Sequence, residues 1–114
     1  MRLATHAVLL LAFSGFVSAQ AGITRYVGRV RELVWQNPKV YIAFDVKQTD
    51  GTTDQYRLNC GSPADAMRSG LNRNSVKQGD TITVEVNEDR ASRNYGQTVA
   101  TLSDGRKIRD CLLE

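Results

Sequence analysis

The order of elements along this sequence predicts a mainly-β domain: a small five-stranded OB-like barrel with one short helix between strands 3 and 4. Three observations carry that expectation. Apolar and polar residues alternate at a period of two in several short runs, as half-buried antiparallel strands require. Asn-Pro, Asp-Gly and Gly-Asp pairs separate those runs where turns are needed. A single capped helical segment follows the third run, giving strand, strand, strand, helix, strand, strand. Another small mixed barrel or sandwich with one helix is the competing architecture.

Ahead of the first strand lies a segment with the form of a secretory leader. Arg2 provides a short positive start, and residues 7–17 (AVLLLAFSGFV) are an apolar run too short to cross a bilayer as a helix. Val17-Ser18-Ala19 is a small-residue cleavage site, which places the cut after Ala19. An uncleaved membrane anchor is the competing reading. Residues 1–19 as a signal peptide imply a secreted protein, most simply in a bacterial periplasm. They leave 95 of the 114 residues, 20–114, as one domain.

The chain is organised around residues 28–46, GRVRELVWQNPKVYIAFDV, which read as two long strands joined by a turn at Asn37-Pro38. Val30, Val34 and Trp35 supply apolar bulk before the turn, Trp35 as a core or half-buried anchor. After it, Val40, Ile42, Phe44 and Val46 alternate with Lys39, Tyr41, Ala43, Asp45 and Lys47. Gly28 either marks the bend that lets a long strand serve both sides of a barrel or is an ordinary weak point. Asp50-Gly51 is a hairpin signal leading into a third strand over residues 53–60, where Tyr56, Leu58 and Cys60 alternate with polar residues. Residues 62–70 form a short helix: Ser62 caps it, Pro63 fits its first turn, Asp65 complements its positive end and Gly70 closes it. An irregular loop is the alternative there. Residues 71–78 read as polar linking chain and Gly79-Asp80 as a turn. The strand over 81–86 is the cleanest, with Ile82, Val84 and Val86 on one face. Residues 87–97 (NEDRASRNYGQ) form a charged, exposed loop, residues 98–102 a further strand and, after Asp104-Gly105, residues 107–111 a last short one.

Several of these features recur in a fixed order. They are G-x-V at Gly28, W-x-N-P at Trp35, the Asp50-Gly51 turn, Ser62-Pro63, Gly70, Lys77-Gln78-Gly79-Asp80 and Ser103-Asp104-Gly105-Arg106. In that order they resemble a family of small secreted bacterial proteins known only as a domain of unknown function, over about residues 27–107. The resemblance implies an exported barrel and no known activity. Members of that family carry histidine directly after the Asn-Pro, where this chain has Lys39, so a ligand role for that histidine does not carry over. The Gly/Pro-rich loop usual before the last strand is represented by residues 90–97, without proline.

Composition narrows the chemistry. One of the 15 Lys and Arg residues, Arg2, lies in the leader, so the mature chain sets 14 against 12 Asp and Glu, a net of +2. That balance and the scattered Arg positions make nucleic acid an unlikely partner. The single histidine, His6, is in the leader, which removes Ser-His-Asp and Cys-His mechanisms and histidine-based zinc from the mature chain. Glu85, Glu88 and Asp89 offer a carboxylate cluster, and Glu88-Asp89 or Asp50 with Asp54 a calcium site; a polar strand end and loop explains the same residues, without the ligand spacing of a calcium loop. No cofactor is expected. Cys60 and Cys111 in an exported chain are expected to form a disulfide, against free thiols or a metal pair.

A secreted or periplasmic binding or accessory module is therefore the leading class. A small periplasmic enzyme using carboxylates or a bound metal is the alternative. If Ile42 and Phe44 point inward, Lys39, Tyr41 and Lys47 share the outer face, with Arg57 across on the next strand. Arg90, Arg93 and Tyr95 in the long loop are placed to overhang it. Aromatic rings beside cations suit an envelope protein, a glycan or a small anionic ligand.

Overall fold

The computed structural model of the chain describes residues 16–20, 22–87 and 98–114, with the backbone alone for residues 19 and 20. The strands are β1 (Phe16–Gln20), β2 (Ile23–Val34), β3 (Tyr41–Lys47), β4 (Thr53–Asn59), β5 (Thr81–Asn87), β6 (Thr98–Thr101), β7 (Lys107–Arg109) and β8 (Leu112–Leu113); helix α1 (Pro63–Arg68) lies between β4 and β5. They form one antiparallel sheet in the order β7-β6-β5-β2-β3-β4-β8, with β1 paired to β2 beside this path.

β2 is the axis of the sheet. Its 12 residues pair with β5 from Ile23 to Arg29 and with β3 from Arg29 to Val34. The partner changes at Gly28 and Arg29, and a bulge between Val30 and Glu32 shifts the register just beyond. A Cβ on Gly28 would lie 2.3 Å from the Asp45 carbonyl oxygen of β3. Glycine therefore permits the close crossing, and of the two readings of this residue the bend is the one observed.

The alternation on β3 sorts its residues as expected. Val40, Ile42, Phe44 and Val46 are fully buried and meet Leu58, Ile82, Val84, Ala100 and Ile108 in one core. Ala43 faces the other way yet is buried too, since its register neighbours Glu32 and Arg57 carry long side chains past it. Trp35 is half-buried against the core, with the Arg73 guanidinium 5.6 Å from its ring centre. α1 forms where its capping signals lie: Ser62 Oγ accepts from the Asp65 amide at 3.1 Å and an Asp65 carboxylate oxygen accepts from the Ser62 amide at 3.4 Å. The helix buries Ala66.

Several expectations need correction. Among the described residues there are eight strands rather than five. Four of the five residues of β1 were assigned to the leader, β2 begins at Ile23 rather than Gly28, and the last strand, expected over residues 107–111, ends at Arg109, with β8 following it. Among the described residues the sheet is not closed into a barrel by hydrogen bonds: β7 and β8 end its strand order. Those two strands are successive in sequence, so Arg109 and Leu112 stand at most about 11 Å apart along the chain. Residues 71–78 are not simply polar linking chain, because Leu71 and Val76 are buried in the core. Their irregular backbone is supported locally by Ser75 Oγ, which accepts from the Asn72 amide at 2.8 Å. Cys60, just after β4, is joined to Cys111, between β7 and β8, by a disulfide with Cα atoms 4.4 Å apart. Residues 88–97, with Arg90, Arg93 and Tyr95, and residues 1–15 lie outside the described residues.

Candidate binding surface

The outer face of β2, β3 and β4 gathers most of the anticipated site residues that are described. Tyr41 opens β3 opposite Asn59, and Arg57 lies one residue pair along β4, opposite Ala43. The Arg57 guanidinium stands 5.2 Å from the centre of the Tyr41 ring, a cation–π contact. Lys39 is exposed two residues before Tyr41. Lys47 is on the same face at the far end of β3, six residues from Tyr41 and hence about 20 Å away. The structure therefore unites Tyr41 with Arg57, keeps Lys39 at their rim, and separates Lys47 from them.

Sequence reasoning put Asp45 on this face but missed its other carboxylates, Glu32 and Glu114. β8 adds to the edge of β4 through Leu58↔Leu113 and Asn59↔Leu112, and the Arg57 and Glu114 backbones exchange hydrogen bonds of 3.1 and 2.8 Å. That pairing brings Glu114 to 4.0 Å from Arg57 and lets its carboxylate accept from Asn59 Nδ2 at 3.3 Å. Nearby, Arg31 Nε is 3.3 Å from Asp45. Across the face, the cations Arg29, Arg31, Lys39, Lys47 and Arg57 stand against the carboxylates Glu32, Asp45 and Glu114, with Arg31 paired to Asp45 and Arg57 to Glu114. A mixed basic and aromatic surface was expected; the described one carries both signs of charge, with two of its arginines already paired.

The carboxylates considered for catalysis or metal binding are held in structural roles. Glu85 Oε2 accepts from Arg25 Nη2 at 2.7 Å and Nε at 3.0 Å. Asp50 accepts from the Thr52 hydroxyl at 2.7 Å and amide at 2.9 Å, and these two bonds, the hydroxyl first, hold its carboxyl below the ordinary aspartate value. Asp54 accepts from Gln48 Nε2 at 2.7 Å. Among the described residues, no three His, Cys, Asp or Glu side chains converge as metal ligands. Glu88 and Asp89 lie outside those residues.

Beside the disulfide runs an open groove of about 650 Å³, with Gly61, Asp65, Arg68, Ser69, Arg109 and Asp110 on its walls. Its charges also alternate. Asp65 pairs with Arg68 and is held below the ordinary aspartate value chiefly by its hydrogen bonds with Ser62. On the inner side of the sheet, Tyr56 stacks on Phe44 with ring centres 5.6 Å apart and meets Tyr26 edge-on at 5.1 Å. Burial, with the nearby Asp54 charge second, raises its phenol above the ordinary tyrosine value.

Residues 3–98 match the model of a family of unknown function, DUF6152. The chain belongs to that family. No curated protein and no solved structure matches it. Among the described residues of this DUF6152 member, no helix is long and apolar enough to cross a membrane.

Proposed function

We propose that this protein is a secreted, periplasmic accessory module that binds an envelope protein through the outer face of β2, β3 and β4. The observation that carries this reading is the Tyr41–Arg57 pair set among charges of both signs. A small anionic ligand would find Arg31 and Arg57 already engaged by Asp45 and Glu114. A glycan would find the Tyr41 ring already overlaid by a guanidinium. A protein surface, by contrast, supplies donors, acceptors and both signs of charge, and Tyr and Arg are the residue types that anchor such contacts. An exported location is supported by the leader-like residues 1–19 and by the Cys60–Cys111 disulfide.

An OB-like architecture is part of the same proposal. It is supported by the bent β2 shared between β3 and β5, by the position of α1 between β4 and β5, and by edge strands β7 and β8 linked through two residues. The enzyme alternative has no specific observation in its favour, because Glu85, Asp50 and Asp54 are each engaged by neighbouring side chains.

The test is affinity capture from an envelope extract with wild type and with a Tyr41→Ala/Arg57→Ala variant. Both side chains lie outside the core, so the variant is expected to fold as wild type does by circular dichroism. Loss of a captured protein that wild type retains is the expected result. A folded variant that captures the same proteins in the same amounts refutes this face as the site.

A further inference from the structure

β2 carries a second surface that the preceding reading does not use. Among the described residues, Ile23–Val27 pair with β5 on one edge and with β1 on the other, the ladder with β3 beginning at Arg29. The cleavage expected after Ala19 removes four of the five residues of β1. The mature chain then holds a strand with a paired inner neighbour and the backbone donors and acceptors of Ile23, Arg25 and Val27 on its other edge, the arrangement that accepts an added strand.

The leader shows what fits this edge. It pairs antiparallel, with Phe16 opposite Val27 and Val17 opposite Tyr26. Thr24 and Tyr26 are in register with Val86 and Val84 of β5, both buried, so this is the face of β2 that looks toward the core. Val17 therefore stands on the inward side, over Tyr26. From Tyr26 an aromatic row continues through Tyr56 to the fully buried Phe44. Val17 itself stays 38% exposed at this position, an aliphatic side chain at the outer end of the row.

Building on the export and protein-partner readings above, we infer that the mature chain takes up an extended segment of its partner as an antiparallel strand on the β2 edge, with an aliphatic residue over Tyr26. A second copy of the chain is a poorer occupant. Two such edges paired antiparallel along their full length would set Arg25 directly against Arg25, and like charges in register are destabilising. A heterologous segment meets no such opposition, as Ser18 in β1, the residue paired with Arg25, illustrates.

The experiment uses the protein recovered from the envelope. Intact mass establishes whether it starts at Gln20; a chain that keeps residues 1–19 has a filled edge, and the inference falls together with the export reading. On the mature chain, amide hydrogen exchange of Ile23–Val27 is followed with and without a synthetic peptide of residues 14–21 (SGFVSAQA). The amides on the outer edge should exchange rapidly alone and slow by at least about tenfold with the peptide, as newly paired strand amides do. Peptides with N-methylated backbone or with Val17→Asp should give no slowing. The Tyr41→Ala/Arg57→Ala variant should respond like wild type, so failure of the outer face and failure of the edge are told apart. Protection in the absence of peptide, with a dimeric mass by sedimentation, would make the occupant a second copy and overturn the inference. So would exchange that the peptide leaves unchanged.

Discussion

Gly28→Ala is the substitution that most directly probes the architecture. An added Cβ would lie 2.3 Å from the Asp45 carbonyl oxygen, 3.0 Å from its carbon and 3.1 Å from a Val46 methyl. Reaching even 3.0 Å from the oxygen needs about 0.7 Å of separation, and the obstacle is backbone, which has no rotamer to change. Asp45 is held on one side by Arg29 and on the other by Gln55, while its neighbours Phe44 and Val46 are fully buried. Overpacking of a well-filled interior costs about 1–3 kcal/mol, and disturbing one or two ladder hydrogen bonds adds about 1 kcal/mol each. The expected loss is therefore about 3–4 kcal/mol, which for a domain of this size lowers Tm by more than about 12 °C. The sign discriminates sharply. Were Gly28 an ordinary weak point, alanine would stabilise the chain by about 0.4–1 kcal/mol by restricting the unfolded state. Urea unfolding of both proteins decides the matter: a variant as stable as wild type, or more stable, refutes the crossing as the reason for glycine here.

Other outcomes follow from single features. Replacing both cysteines, Cys60→Ala with Cys111→Ala, should lower the unfolding free energy by about 4 kcal/mol, the chain-entropy value for a 51-residue separation, and abolish the effect of reductant on the urea midpoint. Ser62→Ala should cost about 1 kcal/mol through loss of the α1 cap, read as a shift in the same midpoint. Asp50, Asp65 and Asp104 all have folded values below the ordinary 3.8, so their contribution is full above that value and lost as pH falls through the lower folded values; thermal melts should show stability declining below about pH 4, less steeply in Asp65→Asn. Tyr56 has a folded value above 10.0, so its contribution is present below pH 10 and lost as pH rises beyond it; Tyr56→Phe should flatten that alkaline decline in Tm.

What the sequence made legible depended on how many constraints each segment satisfied at once. β3 could be read residue by residue because one face is core and the other is not, and a period of two records that directly. α1 could be read from Ser62, Pro63 and Asp65 because a helix start needs particular chemistry at particular positions. β8 could not: Leu112–Leu113 has no alternation, and its pairing with β4 is set by contacts between residues far apart in the chain. Leu71 and Val76 were obscured for a related reason, since they enter the core from irregular chain that has no period to detect. β1 was hidden by ambiguity of role, as the same residues that satisfy a cleavage site also satisfy a strand edge.

The candidate surface shows the same division at the level of charge. Parity along β3 correctly places Tyr41 and Lys47 on one face, but parity carries no distance, and the strand holds them about 20 Å apart. Arginines 31 and 57 read as unpaired cations only while their neighbours are unknown. The bulge after Val30 turns Arg31 onto Asp45, and the β4–β8 ladder delivers Glu114 to Arg57. The electrostatic character of this face is thus a product of register, fixed by pairings with β2 and β8. One-residue slips in either ladder would carry those partners to the opposite face and leave the arginines uncompensated. Which cations of this face are paired is therefore a matter of register rather than of composition, and a residue count alone does not carry it.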